Sequence, residues 1–109
     1  MVSEKKIQHD ILEKLDEHPY VVWAYITCAG VVKGYTGGRP FRIGPNGLLD
    51  ILGQLKDGRL FSIEVKIPGK EPSEDQQKMI NKINRDMGIA GWADNVEDAI
   101  AIIEQAEML

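Results

Sequence analysis

Apolar residues change their period along the chain. In EKKIQHDILEKL, Ile7, Ile11, Leu12 and Leu15 recur at three- and four-residue intervals. That is the stripe of an amphipathic helix, with Ser3 placed as its N-cap and His18 and Pro19 as its stop. YVVWAYITCAG is rich in β-branched and aromatic residues and predicts a strand ending at Gly30. Gly34, Gly37, Gly38, Gly44 and Gly47, with Pro40 and Pro45 among them, predict loop, interrupted by a short strand from Phe41 to Ile43. GPNGLLDILG and FSIEVKI, joined by the turn KDGR, read as the strand segments of a hairpin. Ser73 caps a second helix whose Gln76, Met79, Ile80, Ile83 and Met87 share a stripe, and Gly88 ends it. IAGWA is a short strand, and Asn95 caps a last helix with Val96, Ala99, Ile100 and Ile103 facing inward. Helix, strands, helix, strand, helix predicts an α/β domain over residues 1–109, with a mixed, mainly antiparallel sheet flanked by helices.

The hairpin carries the chemistry. In FSIEVKI the alternation puts Phe61, Ile63, Val65 and Ile67 on a core face and Ser62, Glu64 and Lys66 on a polar face. Asp50 precedes Glu64 by fourteen residues in GPNGLLDILG, and Lys66 follows it by two. Two acids and a lysine on strand segments suit a metal-dependent phosphodiesterase. Mg²⁺ takes one or two carboxylates with water and a phosphate oxygen, and Asp50 and Glu64 can supply them, with the Val65 carbonyl as a third ligand. Lys66 can hold or deprotonate the attacking water and offset charge on the phosphate. Taken alone, the same triplet also describes an ordinary strand whose Glu and Lys form weak surface pairs.

Four motifs in order bear on that choice: Glu4 on the first helix, GxxD at Gly47 to Asp50, ExK at Glu64 to Lys66, and SxxQ at Ser73 to Gln76. Together they resemble the VRR-NUC branch of the PD-(D/E)xK nucleases, over nearly the whole chain from EKKIQ to VEDAI. The resemblance implies a restriction-endonuclease-like core and Mg²⁺- or Mn²⁺-dependent hydrolysis of DNA. It also implies metal binding by Asp50, Glu64 and the Val65 carbonyl, with Lys66 serving the water and Glu4 and Gln76 completing the catalytic set. Small stand-alone members look like resolvases of four-way junctions, which implies branched DNA and a homodimer as partners. A flap, end or nicking nuclease is the alternative in the same class. A non-catalytic nucleic-acid-binding module with a nuclease fold is the alternative from another. Leu49 departs from the Pro that often precedes the motif acid, which touches backbone shape rather than the ligands. Two side chains keep a second role: Glu4 favours the helix dipole, and Gln76 fits a capping box with Ser73.

Net charge is −4, an unexpected sign for a DNA-binding protein, but its distribution is uneven. Residues 1–32 carry three basic and five acidic groups, residues 33–70 seven and three, and residues 71–109 three and nine. The basic middle offers Lys33, Arg39, Arg42 and Lys70 as DNA-binding residues, with Lys56 and Arg59 also available to phosphates. Lys78, Lys82 and Arg85 form a further stripe, read first as a solvated face and second as a backbone contact. His9 and His18 lack partners at ligand spacing and are expected on the surface; lone Cys28 is a small core residue. No GxxxxGK[ST] loop occurs, so nucleotide hydrolysis is excluded. The polar start and the lack of a long apolar run predict no membrane association and a cytoplasmic location, in a bacterial cell or a phage-infected host.

Strand register sets a condition on all of this. A two-residue Asp57-Gly58 turn would pair position 50 with position 65 and send Asp50 and Glu64 to opposite faces. A metal site therefore requires a three-residue loop of Lys56, Asp57 and Gly58, with Gly58 left-handed, or a bulge near Gly53.

Overall fold

The computed structural model describes residues 2–27, 30–32 and 41–107. Helices α1 (Glu4–Glu17), α2 (Glu74–Arg85) and α3 (Val96–Glu104) flank a sheet built from β1 (Val21–Ile26), β4 (Ile51–Leu55), β5 (Leu60–Val65) and β6 (Ile89–Ala93). The strand order is β1-β4-β5-β6, while β2 (Gly30–Val32) and β3 (Phe41–Ile43) make a separate two-stranded sheet. β1 and β4, and β4 and β5, run antiparallel, whereas β5 and β6 run parallel. A parallel neighbour needs a crossover, and α2 supplies it. The result is an α/β fold with a mixed, mainly antiparallel sheet, consistent with a restriction-endonuclease-like core. No helix among the described residues is long and apolar enough to cross a membrane.

The predicted caps form. Ser3 Oγ accepts the Lys6 N–H at 3.1 Å, and Asn95 Oδ1 accepts the Asp98 N–H at 2.8 Å. α2 opens on a full capping box with Ser73 and closes on Asp86. Its end differs from expectation: Met87, at φ 76°, takes the left-handed position, and Gly88 follows, donating its N–H to the Ile83 carbonyl at 2.8 Å. That bond spans the end as in a Schellman motif, one residue earlier than a Gly88 stop. The strand expected to run to Gly30 stops at Ile26, and Gly30 begins β2.

The main core lies on one side of the sheet. Ile7, Ile11 and Leu15 of α1 and Ala99 and Ile103 of α3 pack on Ile51, Leu55, Phe61, Ile63 and Val65. All of these but Ile7 are wholly excluded from solvent. Burying each large aliphatic or aromatic side chain contributes about 1.5–3 kcal/mol before chain entropy is set against it.

The hairpin has the register the chemistry requires. Ile51 faces Ile63, Leu52 faces Ser62 and Gly53 faces Phe61. Leu55 N–H donates to the Arg59 carbonyl at 2.9 Å, so Lys56, Asp57 and Gly58 form a three-residue loop with Gly58 at φ 96°. Extending the register by one pair sets Asp50 opposite Glu64, on the same face. Gly53 is paired regularly; the irregularity in the sheet falls instead between Val21 and Trp23.

Candidate metal centre

Glu64 is not on a solvent face. β5 is buried on both sides, with Ser62 fully excluded and Glu64 only 1 % exposed, because α2 crosses the face that alternation marks as polar. Ser62 meets the burial by donating its hydroxyl to the Ile51 carbonyl at 2.7 Å. Glu64 meets it with donors on both oxygens. Oε1 accepts the Asp50 N–H at 3.2 Å; Oε2 accepts Gln76 Nε2 at 2.9 Å and lies 3.2 Å from Lys66 Nζ. Asp50 is held in turn by the Val65 N–H, which donates to Oδ2 at 2.9 Å. Within a strand, a residue's N–H and C=O point to the same edge, so the Val65 carbonyl also faces the Asp50 side.

Glu4 completes the cluster. It sits in the first turn of α1, and a carboxylate oxygen from each of Glu4, Asp50 and Glu64 lies within 4.8 Å of the others. Burial, followed by repulsion from Asp50, pushes the Glu64 carboxyl up from its usual 4.5 to about 7, although Lys66 draws it down. Three carboxylates converge here, with neither sulfur nor imidazole, and one of them is hard to ionise without added positive charge. That donor set fits a hard divalent cation such as Mg²⁺ or Mn²⁺.

Gln76 closes the capping box and reaches the carboxylate cluster at once. Its Oε1 accepts the Ser73 N–H at 2.8 Å to close the capping box, which leaves Nε2 directed at Glu64. Gly47 explains how α2 comes so close. At φ 77° it lies against the first turn of that helix, where a Cβ would fall 2.3 Å from the Asp75 carbonyl oxygen. The glycine of GxxD thus seats the helix that delivers Gln76. Leu49, the departure from the family pattern, is fully buried, and its carbonyl accepts Thr27 Oγ1 at 2.8 Å.

Other expected site residues divide. Lys70 is exposed in the turn before α2. Arg42 falls on β3, while Lys33, Arg39 and Cys28 lie outside the described residues. Arg59 is committed elsewhere: its Nε donates to Asp57 at 2.7 Å, and its guanidinium also donates to the Ala106 carbonyl, tying the hairpin loop to the chain after α3. It is not a free phosphate ligand. Lys78 and Arg85 are exposed and lie 3.3 Å from Glu74 and 3.7 Å from Asp86, as a solvated face would have them. His9 is exposed, but the His18 side chain is only 10 % exposed. His18 Nδ1 accepts the Tyr20 N–H at 3.0 Å and Nε2 lies 3.3 Å from Glu104, so the ring links the end of α1 to α3 rather than facing solvent. Spacing could not reveal that role, because Glu104 is 86 residues away.

A groove of about 570 Å³ lies at the far end of the hairpin, lined by residues that include Asp57, Leu60, Lys82 and Met87. It shares no residue with the carboxylate cluster. No family model, curated protein or solved structure matches this chain.

Proposed function

We propose that this protein is a Mg²⁺- or Mn²⁺-dependent endonuclease that hydrolyses DNA phosphodiester bonds, selects branched DNA, and resolves four-way junctions as a homodimer. The observation that carries this reading is the buried Glu64 carboxylate, set against Asp50 and Glu4 and approached by Lys66 and Gln76 on one oxygen. A surface Glu–Lys pair has no need of burial, a second carboxylate at its side or a glutamine brought over by a neighbouring helix. Asp50, Glu64 and the Val65 carbonyl would hold the cation, with Glu4 at its edge. When bound, the cation polarises the phosphate and lowers the pKa of water.

The protein's own groups do the rest. Lys66 Nζ, a strong donor beside Glu64, orients the attacking water and offsets negative charge on the phosphate. Gln76 fixes the Glu64 carboxylate so that the site is organised before substrate arrives. Lys33, Arg39, Arg42 and Lys70 supply contacts to the DNA backbone, and the enzyme would meet that DNA in the cytoplasm of a bacterial or phage-infected cell.

Cleavage of junction, flap, duplex and single-stranded DNA in Mg²⁺ or Mn²⁺ tests the proposal. Paired nicks across the junction are expected, together with loss of cutting in Asp50→Asn and Glu64→Gln. Lys66→Ala should lose turnover by about a hundredfold or more while still binding the cation. Cutting of flaps alone would replace the resolvase by a flap nuclease. Binding without cutting on any substrate would make the protein a non-catalytic module.

A further inference from the structure

We propose that Trp23 and Tyr25 form a stacking platform for unpaired nucleobases of the DNA strand whose phosphate enters the carboxylate site. The identity of the strand rests on the nuclease reading; the platform itself rests on the sheet. Trp23 pairs with Gln54 and Tyr25 with Leu52, and Thr27 donates its N–H to the Asp50 carbonyl at 2.7 Å. Thr27, Tyr25 and Trp23 therefore run down β1 in step with Asp50, Leu52 and Gln54, on the face that holds Asp50 and Glu64. Tyr25 stands one pair beyond Asp50, about 7 Å along the strand and about 4.8 Å across.

The two rings are half-exposed, at 42 % and 49 %, and stack on each other at 5.9 Å with 29° between their planes. Trp23 Nε1 donates to Gln54 Oε1 at 3.0 Å, which satisfies the one polar atom of the indole and holds the ring in place. What remains outward is flat, apolar and rigid. α2 packs on β5 and β6 rather than on this half of the sheet. Aromatic side chains at i and i+2 on an open sheet face give successive bases surfaces to stack on, whatever their sequence. Exposed Lys56, whose N–H donates to the Tyr20 carbonyl, sits at the far end of this row, and Lys66 sits at the site. A backbone crossing the row would thus meet a cation at each end. The occupant this arrangement fits is a single strand or a splayed arm.

The test reads binding without cleavage. A short oligodeoxythymidylate and an abasic strand of the same length are titrated in EDTA against the wild type, Trp23→Phe, and the Trp23→Ala/Tyr25→Ala double variant. The readouts are tryptophan fluorescence and fluorescence anisotropy. The wild type should bind the oligothymidylate with quenching. The double variant should bind it at least about tenfold more weakly, and Trp23→Phe should retain most of the affinity. The abasic strand should bind all three proteins with equal, weak affinity. Unchanged binding in a double variant whose melting is normal overturns the proposal, as does a wild type with no affinity for the oligothymidylate. A double variant that sediments as monomer where the wild type sediments as dimer also overturns it, because the rings would then face a second copy of the chain. Failure of the nuclease reading appears separately, as absence of cutting in Mg²⁺ while the binding contrast survives.

Discussion

Asp50 and Glu64 fix each other in place: the Asp50 N–H donates to Glu64 Oε1 at 3.2 Å, and the N–H next to Glu64, that of Val65, donates to Asp50 Oδ2 at 2.9 Å. Each acid is thereby oriented by the other's strand. The price is two carboxylates close together, one of them 1 % exposed. A bound cation would offset the repulsion between these like charges, so the proposed metal site would link stability, protonation and metal affinity.

The first prediction follows from that linkage. The Glu64 carboxyl rises from 4.5 to about 7 on folding, so between those values the folded chain holds a proton that the unfolded chain has lost. The stability this proton contributes is complete below pH 4.5 and fades as pH rises through about 7, by on the order of a few kcal/mol. In EDTA, the wild type should lose stability from pH 5 to pH 8 relative to Glu64→Gln, whose residue 64 does not titrate. Urea melts of both proteins at the two pH values measure the difference. Parallel profiles would contradict the buried, repelled carboxylate.

A second prediction concerns the cation. Binding requires ionised Glu64, so protons compete with metal below about pH 7. Mn²⁺ should raise the melting temperature at pH 8 and do so much less at pH 5.5. Asp50→Asn should abolish the increment at both. An equal increment at the two pH values would place the cation away from Glu64.

The two roles of Gln76 can be separated by its neighbour. Ser73→Ala removes the cap but leaves Nε2 of Gln76 able to reach Glu64. It should cost about 1 kcal/mol of stability and little turnover. Gln76→Ala keeps the backbone bond to Ser73 Oγ but removes the returning bond from the Ser73 N–H together with the Glu64 contact, and should lose no more stability than Ser73→Ala but at least about tenfold in turnover. Equal turnover in both variants, measured well below their melting temperatures, would reduce Gln76 to a cap.

Local signals made much of this site legible. Ser3, Ser73 and Asn95 mark helix starts because a side-chain oxygen can satisfy free N–H groups within a few residues. Gly58 marks the three-residue loop because it takes the left-handed position there, and with Gly53 regularly paired that loop keeps Asp50 and Glu64 on one face. Burial of Glu64 was not legible, since alternation tells which way a side chain points but not which helix will cover it. Arg59 reads as a free cation until the carbonyl of Ala106, 47 residues on, is found against it. His18 misleads in the same way, its partner lying on α3. Met87 shows a local rule overridden: the left-handed position falls one residue before the glycine, whose N–H is needed for the closing bond to Ile83.

The last prediction is the homodimer. A four-way junction requires two cuts, and the described residues form one carboxylate cluster per chain. The sheet's two edges differ in how they meet solvent. On β6, Asn84 of α2 accepts the Ala90 N–H at 2.8 Å and donates to its carbonyl at 3.0 Å, closing that edge to a further strand. On β1 the alternation set by the Thr27 bond to Asp50 turns the backbone of Ala24 and Ile26 away from β4, towards the open side. Two copies joined antiparallel along β1 would extend the sheet across a two-fold axis and leave the Trp23 and Tyr25 rings on its face, clear of the junction between chains. Sedimentation at micromolar concentration should show a dimer, and Ala24→Pro should yield a monomer, because proline at an outward position removes a donor from the joining ladder and none from the pairing with β4. That monomer should nick junctions without pairing the cuts. A wild type that sediments as monomer with and without junction DNA would remove the resolvase and leave a nicking or flap nuclease.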